Sequence, residues 1–556
     1  MADSAKQLQI RNSSALAPLR EKTFRNIWFA SLFSNLGQLI LGVAAAWEMM
    51  WMTNSPSMVA LVQSAMMLPL MLVALPAGAV ADMFDRRKIA LVGLGFSALS
   101  GATLALLAYA GLTTPWMLLG FCTLIGAGVA LFSPSWQASI GEQVSQEHLP
   151  AAIALGTISY NVARSVGPAL GGLIVVAAGA KVAFAINGAF FIPLWIAFYF
   201  WTRKHLPSRL PPERIDRAIV SGARYALHSP PVRIVLIRSL LFGLTTAALV
   251  ALGPLIARDQ LHGDAGTYGI LLGAVGIGAV VGALFIGPLR ERLSTEHAIR
   301  VFAMTTGAVL LFVAWSHSLV LIWFALLLNG ACNILTVAML NVGVQMSVPR
   351  WVTARALSLF SSALTGGIAI GAWLWGVVAS QHGLAFALAL SGVAVMATTL
   401  IGFIAPLPDG DAEGQDEAEL GNEVAVVMGL NLRSGPIAVE VEYDVDPASA
   451  RAFYDLMRRL QKMRQRNGGF NWTLSRDIAR PERWLERYNC PTWGDYLRMR
   501  GRYTQADLEV QATVDEFNRP GHGSRVRRWL ERPYGSVRWQ SDSPDPGQAD
   551  TNYLVP

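Results

Sequence analysis

The chain has 556 residues, 53% of them hydrophobic and only 15% charged, with 51 glycines. So much apolar mass with so little charge excludes an ordinary soluble globular protein and indicates one that spans a membrane. Three cysteines, Cys122 and Cys332 in apolar runs and Cys490 in a polar tail, exclude a disulfide scaffold or a zinc-ligand spacing, and neither a metal nor a cofactor is expected. The formal charge of +7 does not point to nucleic acid, because the basic residues fall in loops between apolar segments.

Residues 1–22 are polar, carry Lys6, Arg11, Arg20 and Lys22, and lead into a long apolar stretch without a small-residue cleavage site, so an uncleaved cytoplasmic N-terminal tail is expected. Crossing about 30 Å of hydrocarbon takes about 20 apolar residues. Twelve such stretches follow, near 23–48, 57–81, 88–110, 115–138, 151–177, 181–202, 233–257, 267–289, 297–316, 319–345, 351–379 and 383–404. Alternate loops are rich in arginine and lysine: Arg86, Arg87 and Lys88; Arg203 to Arg233; Arg290, Arg292 and Arg300; Arg350 and Arg355. The intervening loops carry only Lys181 and Arg258, so the positive-inside bias places the rich side and both termini in the cytoplasm of a multi-pass plasma (inner) membrane protein.

The predicted order is a six-helix bundle over 23–203, a cytoplasmic linker over 204–232 and a second six-helix bundle over 233–405. Within the linker, Ile215, Ile219, Ala223 and Ala226 recur at helical spacing beside arginines, which predicts an interfacial amphipathic helix. An internal repeat supports duplicated halves. GEQVSQEHLPAAIAL from Gly141 matches GVQMSVPRWVTARAL from Gly343 at a constant shift of 202, each joining the fourth to the fifth span of its half. Beyond Pro406 comes an acidic, low-complexity linker over 406–423. Then IAVEVEYDV alternates like a strand, a helix opens at Pro447, and further strand and helix patterns give βαββαβ order over 424–545, including one long helical stretch TWGDYLRMRGRYTQADLEVQATVDEFN. A soluble cytoplasmic α+β domain is expected there, with a disordered tail over 546–556.

Several residues carry chemistry. GAVADMFDRRK, between spans two and three, resembles the signature loop of the major facilitator superfamily, with Asp85 in place of the usual second glycine. The resemblance implies a gate in which Gly78 allows close packing, Asp82 meets the start of span eleven near Arg355, and Arg86 and Arg87 pair with acidic groups on the cytoplasmic rim. Span five holds ARSVGPALGG, similar to the motif of the superfamily's antiporters, with Gly167, Pro168, Gly171 and Gly172 in place. With SPSWQASIGEQV and LPAAIAL, these segments resemble the transmembrane secretion effector branch. That resemblance implies the major facilitator fold and a secondary exporter, here expected to move a small amphipathic or siderophore-like molecule by alternating access with protons as coupling ion. Cys122 ahead of Gly126 departs from the arginine that drug antiporters carry in span four, so coupling would run without it.

Arg164 sits near the middle of span five, where a charge costs several kcal/mol unless it is paired or faces water, and is the first cavity candidate. An anionic or electron-rich substrate would neutralise it; backbone carbonyls and Asn161 are the structural alternative. Asn35 and Gln38 in span one, Gln63 in span two, and Asn329 and Asn333 in span ten are further cavity candidates, equally suited to interhelical hydrogen bonds. Glu48, between Trp47 and Trp51 near the end of span one, reads as an interfacial residue or as a proton-coupling carboxylate. The strand and helix order of the C-terminal region, with VEYDVDPASARAFYDLMRRL, Trp472 and RYNCPTWGDYLR, resembles the ferredoxin-like fold of antibiotic-biosynthesis monooxygenases. Fold does not carry function, and His522 and Cys490 are isolated, so no catalytic residue is assigned; a dimerising or regulatory module and an enzyme acting on the cargo both stay open. A membrane sensor without transport is the remaining alternative.

Overall fold

The computed structural model describes residues 16–83, 85–202, 224–225, 228–286, 289, 293–349, 352–407, 426, 428, 430–519 and 523–531, with the side chains of 74–75, 77–83, 146, 150 and 354 excepted. The expected amphipathic linker helix (Ile215, Ile219, Ala223, Ala226), the acidic linker from 408 onward, His522 and the terminal tail lie outside the described residues.

Among the described residues twelve helices are long and apolar enough to cross a membrane. In chain order they are α1 Lys22–Met52, α2 Pro56–Met83, α3 Arg86–Tyr109, α4 Pro115–Gln143, α5 Leu149–Ala178, α6 Ala180–Phe200, α7 Pro230–Ala251, α8 Ala265–Leu284, α9 Thr295–Trp315, α10 Leu319–Met346, α11 Thr353–His382 and α12 Leu384–Ile404. The predicted spans fall on these helices. Span seven runs further than expected, to Gln260, because a π-helical turn at Ile256–Gln260 prolongs α7.

Local chemistry sets the helix boundaries. Asp85, Thr114, Asp264 and Ser294 cap α3, α4, α8 and α9, each accepting a backbone N–H of the first turn and so satisfying a donor that the helix leaves open. Asp85 thus explains the departure from glycine in the signature loop: its carboxylate takes the Arg87 N–H at 2.9 Å and starts α3. The two halves turn alike between their fifth and sixth helices, at Gly179 (φ 81°) and Gly383 (φ 89°), a backbone region that glycine enters without penalty.

The described residues within Met1–Ile219, Ile234–Gly343 and Leu357–Asp409 form one compact unit, and those within Val220–Arg233, Val344–Ala356 and Gly410–Pro556 form another. In the first unit, arginines tie the helix ends of each half. Arg87 donates to the Phe198 carbonyl at 3.0 Å and to that of Tyr199, closing the end of α6, where the helix dipole favours a cation. In the second half Arg238 of α7 and Arg300 of α9 flank Glu296, at 3.1 and 3.0 Å, while Arg300 also takes the Gly402 carbonyl and Glu296 the Leu407 N–H. Arg238 and Glu296 are largely buried, so Glu296→Ala leaves two cations facing each other. It is expected to cost about 3 kcal/mol or more, read as a lowered Tm of the purified chain in detergent; an unchanged Tm would show the triad to be dispensable.

The second unit contains a four-stranded sheet. Strands β1 Ile437–Asp444, β2 Phe470–Arg476, β3 Arg483–Cys490 and β4 Arg525–Leu530 stand in the order β2-β3-β1-β4, all antiparallel. Helix α13 Ala450–Asn467 connects β1 to β2 and buries Phe453, Met457, Leu460 and Met463 at helical spacing. With α14 Trp493–Arg500 and α15 Gln505–Asp515 between β3 and β4, this is the expected ferredoxin-like arrangement. The stretch read from sequence as one helix is broken: α14 stops at Gly501, and a capping box between Thr504 and Asp507 opens α15.

Candidate transport pathway and gates

Successive spans run in opposite directions, so the end of α5, the start of α8, the start of α2 and the end of α11 share the side opposite the N-terminus of α1. From that far side to mid-length, the two halves touch along both helix pairs. On α5, a Cβ at Gly172 would lie 2.3 Å from the Ala265 carbonyl oxygen of α8, and one at Gly269 of α8 would lie 2.6 Å from the Pro168 oxygen. On the other pair, Ser57 of α2 donates its N–H to Ser380 Oγ of α11 at 3.1 Å, and Ser64 Oγ donates to the Ala369 carbonyl at 2.7 Å. A Cβ at Gly376 would meet Ala60 at 2.6 Å. These separations admit no side chain, which is why the antiporter-like string is rich in glycine.

That string serves two neighbours. Gly167 and Gly171 pack against Leu39, Ile40 and Val43 of α1, whereas Gly172 meets α8. Pro168 has no N–H, so the Arg164 carbonyl loses its helical partner. Gly276 of α8 backs onto that oxygen, where a Cβ would come within 2.6 Å. The backbone seam between α5 and α8 thus includes the residue that carries the mid-span charge.

The Arg164 side chain is half-buried, and among the described residues it has neither an ion-pair nor a hydrogen-bond partner. Asn161, the structural alternative, donates its amide to the Thr157 carbonyl at 3.0 Å instead. Asn35, Gln38 and Asn333 are half-buried at mid-helix positions and Gln63 is half-buried in the first third of α2, and no hydrogen bond among the described residues joins any two of the candidates. Asn329 is buried, and its Oδ1 has no partner among the described residues. Asn187 of α6, which sequence reasoning missed, is fully buried beside Gly37 and Gly101, with neither amide atom partnered among the described residues. A lone asparagine inside the apolar run of span six gives no signal of such depth.

In the signature loop, Arg86 pairs with Glu142 at 2.9 Å and donates to the Ala138 carbonyl at 3.2 Å. Among the described residues Arg87 does not pair with an acid; it closes the carbonyl end of α6. The side chains of Gly78 and Asp82, and with them the expected meeting of Asp82 and Arg355, lie outside the described residues. Glu48 is half-buried in the last turn of α1, next to Trp51, which is 77% exposed. The sequence reading gave no role to Arg238, although a charge inside an apolar stretch was a signal it could have used.

In the second unit, Glu486 is fully buried and accepts from Tyr443 Oη at 3.0 Å, Trp472 Nε1 at 2.9 Å and Arg464 Nε at 3.1 Å. Arg464 also donates to Tyr503. Burial, reinforced by the Glu486 charge, holds the Tyr443 hydroxyl far above its usual range, so it stays a donor. The cluster is internally satisfied and structural. Cys490 is no nucleophile: burial pushes its thiol up to about 12. Among the described residues no group of His, Cys, Asp or Glu could hold a metal ion. Tyr225, from the segment between the halves, is 3% exposed; the Arg466 guanidinium lies 5.7 Å from its ring centroid, and Arg466 pairs with Asp507.

The chain matches the family described as transmembrane secretion effector over residues 13–534, a stretch that includes the whole of β4. It is 22% identical over 370 residues to the staphyloferrin A transporter of Staphylococcus aureus (strain NCTC 8325 / PS 47), covering 66% of this chain and 92% of that protein. It is 28% identical over 406 residues to the enterobactin exporter EntS of Escherichia coli O1:K1 / APEC, covering 67% and 91%. Among solved structures, the nucleoside transporter NupG superposes with a TM-score of 0.56 at 12% identity over 69% of this chain and 98% of that one. A bacterial homologue of the human lysosomal transporter Spinster, inward-facing and unoccupied, gives 0.55 at 14% over 70% and 96%. At such identities these structures speak for the fold alone. Twelve spans, a glycine-built seam between two halves and a match over nearly the whole length lead to one assignment: the chain belongs to the transmembrane secretion effector family of major facilitator superfamily transporters.

Proposed function

We propose that the protein is a proton-driven exporter of a small amphipathic, siderophore-like molecule, working by alternating access between its two six-span halves. The observation that carries this reading is Arg164: a half-buried cation at mid-span, its side chain unpartnered among the described residues, on the α5–α8 seam between the two halves. A cation so placed is stabilised by an anionic or electron-rich ligand group. The names of the enterobactin exporter and the staphyloferrin A transporter agree with such a cargo. Asn35, Gln38, Gln63, Asn161, Asn329 and Asn333 would supply hydrogen bonds to its polar groups. Gly78, Asp82, Arg86 and Arg87 would form the cytoplasmic gate, and Glu48 would either couple protons or mark the interface. Arg164→Ala is expected to abolish transport in inverted vesicles while insertion is retained, and Arg164→Lys to keep part of it. Full activity in Arg164→Ala would remove Arg164 from the pathway.

The C-terminal domain, in this reading, is regulatory and anchors the segment that joins the halves. Burial of Tyr225 beneath Arg466 supports this. Arg466→Ala should make the segment around 220–230 more susceptible to limited proteolysis in the full chain. An unchanged cleavage pattern would count against the anchor.

A further inference from the structure

A groove of about 700 Å³ runs along the outer face of the first half, between the start of α1 and the end of α6. Its composition changes along its length. One end is lined by Lys22, Thr23, Arg25 and Asn26, the other by Phe29, Phe33, Pro193 and Ile196. From Lys22 to Phe33, α1 rises about 16 Å at ~1.5 Å per residue. That spans the distance from a phospholipid headgroup into its acyl region. Arg20, Lys22 and Arg25 are exposed and face only one nearby carboxylate in sequence, Glu21. Neither the Lys22 nor the Arg25 side chain has an ion-pair or hydrogen-bond partner among the described residues. The first turn of α1 also lacks a side-chain cap, so its N–H groups add positive potential at the same end.

The apolar walls are open to the bilayer: Phe29, Phe33 and Ile196 are each more than 40% exposed, and Phe200 is 75% exposed. Pro193, which removes one N–H within α6, lies at the apolar end of the groove. The cations at this end agree with the positive-inside bias, and the apolar walls continue from them along both helices, so one groove offers a headgroup end and an acyl slot together.

We infer that the α1–α6 groove is a binding site for an anionic glycerophospholipid of the leaflet on the N-terminal side, with Lys22 and Arg25 on its phosphate and Phe29, Phe33 and Ile196 along an acyl chain. This site is separate from the transport pathway and does not depend on what is transported. Each Lys or Arg near the membrane surface favours anionic lipid, so the pair sets a preference of about 30-fold over a zwitterionic lipid.

The test uses the delipidated full chain in detergent, titrated with phosphatidylglycerol, phosphatidylethanolamine or inorganic phosphate, with bound lipid counted by native mass spectrometry. Phosphatidylglycerol is expected to bind at least tenfold more tightly than phosphatidylethanolamine. The Lys22→Gln/Arg25→Gln double variant should lose that preference with an unchanged Tm. Ile196→Trp, which fills the apolar slot without changing charge, should weaken the binding of phosphatidylglycerol at unchanged Tm, and so keeps the idea testable if the double variant misfolds. Equal affinity for the two lipids, or insensitivity to both variants, would overturn the assignment. Full competition by inorganic phosphate would overturn it too, since it would make the site one for a free anion.

Discussion

Glu486→Ala is expected to unfold the C-terminal domain under conditions in which the wild-type domain is stable. Removing this carboxylate leaves the Arg464 guanidinium, only 3% exposed, buried with no counter-charge, and strips Tyr443 and Trp472 of their acceptor. Breaking a buried pair from one side costs about 3–5 kcal/mol. A domain of this size has about 5–15 kcal/mol in total. Glu486→Gln keeps an acceptor oxygen and should cost less. Pulse proteolysis of the full chain in urea reads both, as a fall in the midpoint for the C-terminal fragment. A midpoint equal to wild type in Glu486→Ala would mean that the cluster contributes nothing, and the buried-charge argument would fail.

Gly172→Leu is expected to reduce transport to background while the protein still inserts. A Cβ at this position would stand 2.3 Å from a backbone oxygen of α8, and backbone gives way only if the helix moves. Even Gly172→Ala should impair turnover. Because the contact belongs to the conformation closed on the far side, the leucine variant should be held open there. A cysteine placed at Ser380, whose hydroxyl meets Ser57 in the closed contact, should then react faster with a membrane-impermeant maleimide. The background is low, since all three native cysteines are buried. Normal transport in Gly172→Leu would separate the motif from gating.

Much of this architecture was legible in the residues because the bilayer imposes a simple rule: every span must be long, apolar and helical. The glycines of span five were legible for a similar reason, as only a residue without a side chain tolerates such close approach. The helix break at Gly501 also had a signal, the T-x-x-D box at Thr504 and Asp507, overridden by the continuous helical pattern around it. Other features arise only from tertiary structure. Arg464 and Glu486 are 22 positions apart and meet because α13 folds over the sheet that carries β3. Arg238, Glu296 and the Gly402 carbonyl come from three helices of the second half, and no spacing announces them. Asn187 reads as one polar residue in an apolar run, and its burial between glycines of α1 and α3 follows from packing alone. Arg87 was legible as a cation at a helix end, but its partners, the last carbonyls of α6, lie 111 and 112 positions away.

The central claim is that the two halves export a ligand whose anionic or electron-rich group rests on Arg164. It is tested most directly by uptake of labelled catecholate siderophores and amphipathic dyes into inverted membrane vesicles, with and without an imposed proton gradient, comparing wild type with Arg164→Ala. The account predicts gradient-dependent accumulation in the wild type and none in the variant at equal insertion. Accumulation that ignores the gradient, or that persists in Arg164→Ala, would contradict it.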